Sequence, residues 1–216
     1  MLAGDYETAK KHFDAGSTYS SKGNFNYIGL GNIALDKGDT AEAEKYFALA
    51  VKNSSKRDLE EKVFIGKAYT FSMHPDYPKA IDILSKSRII DPANTDVLLA
   101  LADAYKLNKK QNDSYECYRE AFRLDSSLLR AKMGLGTLIK NAHNFPSALT
   151  SFDEVIALNP NYGPVYRELA ETQYLWALND ARRYDDHISK GLAFYEKYMS
   201  LTDYSLDSRM RHADFL

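Results

Sequence analysis

The side chains able to do covalent or metal chemistry are few and scattered. The histidines are His12, His74, His143, His187 and His212, and none forms a metal-binding motif with its neighbours. His74 and His143 fall in stretches that read as turns. Asp185-Asp186-His187 is the densest group of candidate ligands, yet it reads first as the polar start of a helix. The single cysteine, Cys117, excludes a disulfide framework within one chain and argues against a cysteine-based zinc site. Nothing beside it in sequence would lower its pKa, so it reads as a small packing residue rather than a nucleophile. No Gly-rich phosphate loop, nucleophile elbow or paired-carboxylate motif occurs. The expectation is no catalytic residue, no metal and no cofactor.

The elements that carry these residues come from a repeat. In Asn24 to Ser55, Tyr27, Leu30, Gly31 and Ala34 are followed by Ala43, Phe47 and Ala50, the three-and-four spacing of two amphipathic helices. Gly38 between them suits a helix end, where positive φ is needed. The same offsets return roughly every 34 residues, a period diagnostic of a helical array. They divide the chain into residues 1–23, the second helix of a truncated repeat; 24–57, 58–94, 95–128 and 129–162, four full repeats; 163–205, an irregular repeat; and 206–216, the start of another. The half-repeats at the ends suggest a piece of a longer protein.

Caps support this register. Asp5, Asp39, Asp76, Asn112 and Asn144 all precede a second helix, where Asp and Asn accept from free backbone N–H groups. Asp91-Pro92 and Asn159-Pro160 close the second and fourth repeats, because a residue before proline leaves the helical region. In residues 163–205 the turn is lost: Tyr174 to Tyr184 has no Gly or Pro, which predicts a longer first helix, followed by a second from about Asp186 to Leu201.

Composition sets outer limits. Of the 216 residues, 44% are hydrophobic and 27% charged, as in a folded soluble chain, and the net charge is -2. That balance gives no electrostatic reason to expect nucleic acid. No apolar run approaches the roughly 20 residues of a membrane-spanning helix. The compartment is unknown. Cytoplasmic is the default, with export or a periplasmic site left open because the natural N-terminus is expected to be missing.

The aromatic–Leu-Gly–Tyr and Ala–aromatic–Ala pattern resembles the tetratricopeptide repeat (TPR) family. Tyr27, Leu30, Gly31, Ala43, Phe47 and Ala50 carry it, as do Leu98, Leu101, Ala102, Tyr105, Tyr118 and Ala121, and Leu135, Gly136, Ala148, Phe152 and Pro160. Lys62 and Lys132 depart from it at an aromatic position, and Gln173 replaces the Tyr. The resemblance implies an all-α fold of helix-turn-helix repeats stacked in a right-handed superhelix, an α-solenoid. It also implies a concave groove, lined by the first helix of each repeat, that takes a peptide or protein partner. The groove positions are then Phe25, Ile28 and Asn32; Val63 and Lys67; Leu99, Asp103 and Lys106; Met133, Thr137 and Lys140; and Arg167 and Glu171. Ile28, Val63, Leu99 and Met133 are expected to be exposed for apolar contact, and the charged members to set partner choice.

One TPR subclass grips a chaperone's C-terminal carboxylate with Lys, Asn and Arg. Its positions fall here on Ile28, Asn32, Phe64, Asp96 and Ala100, of which only Asn32 fits; one repeat later they fall on Val63, Lys67, Ala100, Arg130 and Gly134. That carboxylate clamp is not expected. Repeat proteins that read RNA need a basic face, and here the groove charges alternate in sign. The resulting expectation is a non-catalytic protein–protein interaction scaffold. The alternatives are a structural spacer for a neighbouring domain or, less favoured, an enzyme with a site near Asp185 to His187.

Overall fold

The computed structural model describes residues 5–19, 24–52, 54–55 and 58–202. The expected start of a repeat at 206–216, with His212, lies outside them. The described residues fold into helices without strands: α1 (Tyr6–Tyr19), α2 (Asn24–Asp36), α3 (Thr40–Lys52), α4 (Glu60–Phe71), α5 (Tyr77–Ile90), α6 (Thr95–Leu107), α7 (Gln111–Leu124), α8 (Leu129–Asn141), α9 (Phe145–Leu158), α10 (Gly163–Asn179) and α11 (Tyr184–Leu201). They form two compact units that meet in sequence between Leu124 and Asp125. Each unit is a stack of antiparallel helical hairpins.

One packing rule builds every regular hairpin. The second helix buries residues at i, i+4 and i+7: Ala43, Phe47 and Ala50 in α3; Ala80, Leu84 and Ser87 in α5; Ser114, Tyr118 and Ala121 in α7; Ala148, Phe152 and Val155 in α9. That spacing keeps one stripe on one helix face. The large middle residue lies over a glycine of the partner helix. A Cβ on Gly66 would lie 2.6 Å from Leu84, and one on Gly136 would lie 2.6 Å from Phe152. Gly31 meets Phe47 in the same way. In the third hairpin Ala102 stands at this position, and its carbonyl accepts from Ser114 Oγ at 2.8 Å.

The hairpin turns are equally regular. Gly38, Lys109 and His143 each stand two residues beyond a first helix with φ of 81°, 60° and 60°. The next residue, Asp39, Lys110 or Asn144, donates its N–H back to Ala34, Tyr105 or Ile139. This is the 6→1 bond of a Schellman stop. Asp5, Asp39, Asp76 and Asn144 then cap the second helix, each accepting from the backbone N–H three residues on. Asn112 does not. α7 begins at Gln111, and its first helical bond runs from Ser114 N–H to the Lys110 carbonyl, so the cap position belongs to Lys110. The strict period explains the correction, since Lys110 lies 34 residues from Asn144, as Asp5 does from Asp39.

The irregular hairpin is longer, and its turn survives. α10 has 17 residues. Asp180 accepts from the N–H of Arg182 and caps a short 3-10 turn, Ala181–Arg183, that leads directly into α11 at Tyr184. An aspartate does here what Gly or Pro does elsewhere. Ala170, Tyr195 and Met199 close this hairpin's core beside the cluster of Ala148, Phe152, Val155, Val165, Tyr166 and Leu169.

Candidate functional site

The first-helix face of the Met1–Leu124 unit comes from α2, α4 and α6. Its outermost apolar residues are Phe25, Phe64 and Phe71, which remain 47%, 42% and 57% exposed. Phe25 and Phe64 meet edge to face with centroids 5.5 Å apart. Lys67, one turn beyond Phe64 on α4, holds its ammonium 5.3 Å from that ring's centroid. Phe13, Phe25, Ile28, Asn32, Phe64, Lys67 and Phe71 line an open basin of about 400 Å³. A second basin of about 390 Å³ shares Phe64 and Lys67 with the first, and Leu59, Glu60, Val63, Asn94 and Asp96 complete it.

Not every expected groove residue is at this surface. Phe25 is exposed, and Asn32, Lys67 and Lys106 are half-buried. Ile28, Val63 and Leu99, expected to be exposed, are buried at 7%, 3% and 5%. Ile28 lines the first basin and Val63 the second, whereas Leu99 lines neither. Asp103 is also buried; it accepts from the Tyr118 hydroxyl and lies 3.7 Å from the Lys106 ammonium. Its charge is used inside the hairpin.

In the Asp125–Leu216 unit, Met133, Thr137, Arg167 and Glu171 are half-buried and Lys140 is buried. Lys140 Nζ lies 2.7 Å from Glu168 Oε2 and 2.9 Å from Glu171 Oε2. Thr137 Oγ1 donates to Glu168, and Arg167 reaches Glu168 at 3.4 Å. Burial opposes the Lys140 charge, but Glu168 and Glu171 outweigh it and raise its pKa above the ordinary value. Burial likewise pushes Glu168 upward, yet Lys140 and Arg167 hold it lower. These charges join α8 to α10 and are spent on each other.

Phe64 is not among the expected groove residues, although the sequence carries a signal for it. The equivalent positions on α2, α6 and α8 are Gly29, Ala100 and Gly134. Phe64 stands out from them: it is 42% exposed, whereas Ala100 and Gly134 are buried. Gly29 itself makes room for Phe13, whose ring lies 2.5 Å from where a Cβ would be.

The candidate chemical groups are accounted for structurally. Cys117 is 1% exposed, and burial pushes its thiol up to about 11, which removes thiolate character at neutral pH. His187 is buried and packed against Trp176, with Nδ1 2.7 Å from Gln173 Oε1. Asp186 pairs with Lys190 at 2.7 Å. Among the described residues no cluster of His, Cys, Asp or Glu has the makings of a metal site, and no helix is long and apolar enough to cross a membrane.

Another cleft, about 430 Å³, opens between α3, α4 and α5, with Phe47, Val51, Ile65, Tyr69, Ile83 and Ile90 in its wall. Its charged rim is satisfied internally: Lys79 pairs with Glu44, Lys86 with Asp82, and Lys62 donates to the Asp58 carbonyl. On the opposite face, Glu60 and Asp96 remain exposed.

Stacked helical hairpins with small residues at the crossing points and one open first-helix face define a helical-repeat protein of the solenoid class. Two stretches of the chain, residues 26–57 and 95–128, match the tetratricopeptide repeat family model, and the solved structures it resembles include TPR proteins. Among solved structures, TTC0263, a thermophilic TPR protein from Thermus thermophilus, aligns with a TM-score of 0.67 at 18% identity, covering 89% of this chain and 98% of its own. YrrB, a TPR protein with an unusual peptide-binding site, aligns with a TM-score of 0.53 at 17% identity over 96% and 100%. In sequence, a BBSome complex member BBS4 homolog from Drosophila melanogaster is 25% identical over 130 residues, 59% of this chain. This chain spans about a quarter, 26%, of that relative's length. The TPR fold is typical of protein–protein interaction scaffolds, and TPR proteins bind protein or peptide partners.

Proposed function

We propose that this protein is a non-catalytic interaction module that binds a peptide or protein segment on the face of α2, α4 and α6. The observation that carries this reading is the exposure of Phe25, Phe64 and Phe71 around one basin of the Met1–Leu124 unit, in contrast to Phe47, Tyr69 and Tyr118, which are buried in hairpin cores. Exposed aromatic side chains at a concave surface supply large contact area with few rotatable bonds, the usual composition of binding hot spots. Phe64 is 42% exposed, although Ala100 at the equivalent place in the next repeat is buried. Peptide binding by YrrB is a fold-level parallel only.

Within this proposal Phe25, Asn32, Lys67 and Lys106 contact the partner, with Ile28 and Val63 as the floor beneath it. Leu99, Asp103 and Lys106 extend the face onto α6. Met133, Thr137, Lys140, Arg167 and Glu171 serve the α8–α10 interface first. The test is affinity capture of partners from the native host, with the wild type beside Phe64→Ala and Lys67→Glu variants. Loss of the same partner from both variants, with unchanged melting, is expected. Full retention by both would overturn this face as the binding surface.

A further inference from the structure

The two basins that share Phe64 and Lys67 differ in charge, and this difference bears on the partner's chemistry. The basin around Phe13, Phe25 and Phe71 is aromatic and has Lys67 as its one ionic group. The neighbouring basin adds two carboxylates, Glu60 and Asp96. Both carboxylates are exposed, and neither has an ion-pair partner among the described residues. They occupy the first turns of α4 and α6, where the helix dipole stabilises a carboxylate without occupying its oxygens. Lys67 lies over the Phe64 ring between the basins. The local balance is two open carboxylates against one ammonium already resting on an aromatic face.

We infer that the occupant of this face, on the reading of it as a partner-binding surface, is a segment that places a large apolar side chain in the aromatic basin and a neighbouring Lys or Arg between Glu60 and Asp96. Opposite charge brought to an exposed pair of carboxylates sets orientation and partner choice, while the aromatic basin supplies the contact area. A segment with an acidic residue at that place meets two like charges and is disfavoured.

The test uses an array of short synthetic peptides, each with a central Phe or Leu and either lysines or glutamates at the same flanking positions. The array is probed with the purified full chain at low ionic strength, and hits are measured by fluorescence anisotropy. The lysine series is expected to bind about tenfold more tightly than the glutamate series, a contrast that fades with salt. The paired substitution Glu60→Gln and Asp96→Asn removes the contrast but leaves apolar binding, and Lys67→Ala enlarges it. Phe64→Ala, at an exposed position, weakens both series. Equal binding of the two series, or preference for the glutamate series, overturns the charge assignment and leaves the aromatic groove standing. If neither series binds, or Phe64→Ala changes neither, the groove itself is overturned.

Discussion

Lys140 and Glu168 form a buried ion pair across α8 and α10, with Nζ 2.7 Å from Oε2 and side-chain exposures of 5% and 8%. The two residues are 28 positions apart and belong to different repeats. Removing one member of such a pair leaves the other charge desolvated and uncompensated. Lys140→Met is expected to destabilise the protein by about 3–5 kcal/mol in denaturant unfolding. The combined Lys140→Met and Glu168→Met variant is expected to recover most of that loss. A double variant as unstable as the single one would show that the pair does not act as a unit.

Burial of His187 makes stability depend on pH. Its ring stacks on Trp176 at 4.4 Å, and Trp176 stacks on Phe145 at 5.9 Å. Gln173 presents an accepting Oε1 to Nδ1, so Nδ1 carries the proton; the buried Nε2 has no hydrogen-bond partner among the described residues. Burial first, then the Arg183 charge, lowers the pKa from the ordinary 6.5, while Asp186 and Asp180 pull weakly the other way. The unfolded chain therefore binds the proton more readily, and stability falls as pH drops below about 6.5 toward the lowered folded value. Melting temperatures measured from pH 7 to about pH 5 should decline less steeply in His187→Phe than in the wild type. Parallel profiles would remove His187 as the titrating group.

The missing cap on α7 can be supplied. Lys110 occupies a position where Asp39, Asp76 and Asn144 accept a backbone N–H. Lys110→Asp is expected to stabilise the Met1–Leu124 unit by about 1 kcal/mol. The shift should appear in the denaturation midpoint without a change in slope.

At Lys109 the backbone has φ of 60° on an exposed residue, a conformation in which Cβ costs about 1 kcal/mol. Lys109→Gly should raise stability by about that amount, net of a small entropic loss, whereas Gly38→Ala should lower it. Opposite signs in thermal melts are the expected result.

Close packing at the hairpin crossings predicts intolerance of bulk. Gly136→Leu drives a side chain into Phe152, and Ala43→Leu fills a position with 0% exposure. Each is expected to destabilise by about 1–3 kcal/mol. Unchanged melting of either variant would contradict the packing described.

Much of the fold was legible in the residues alone, because the 34-residue period, the i, i+4, i+7 stripes and most of the caps are local properties of sequence. Local rules sufficed wherever one repeat could be compared with the next. They failed at Asn112, where a familiar capping residue two positions away from the strict period outweighed the register. They also failed at Asp180, whose side chain makes a turn without Gly or Pro. The candidate site was less legible. Ile28, Val63, Leu99 and Lys140 lie on the first-helix face expected to be open, yet stacking covers them, since burial is set by the neighbouring helix rather than by the residue's own. Helical spacing determined which side chains share a face; only the packing of hairpin on hairpin decided which of them, Phe64 and Lys67 among them, were left for another molecule to touch.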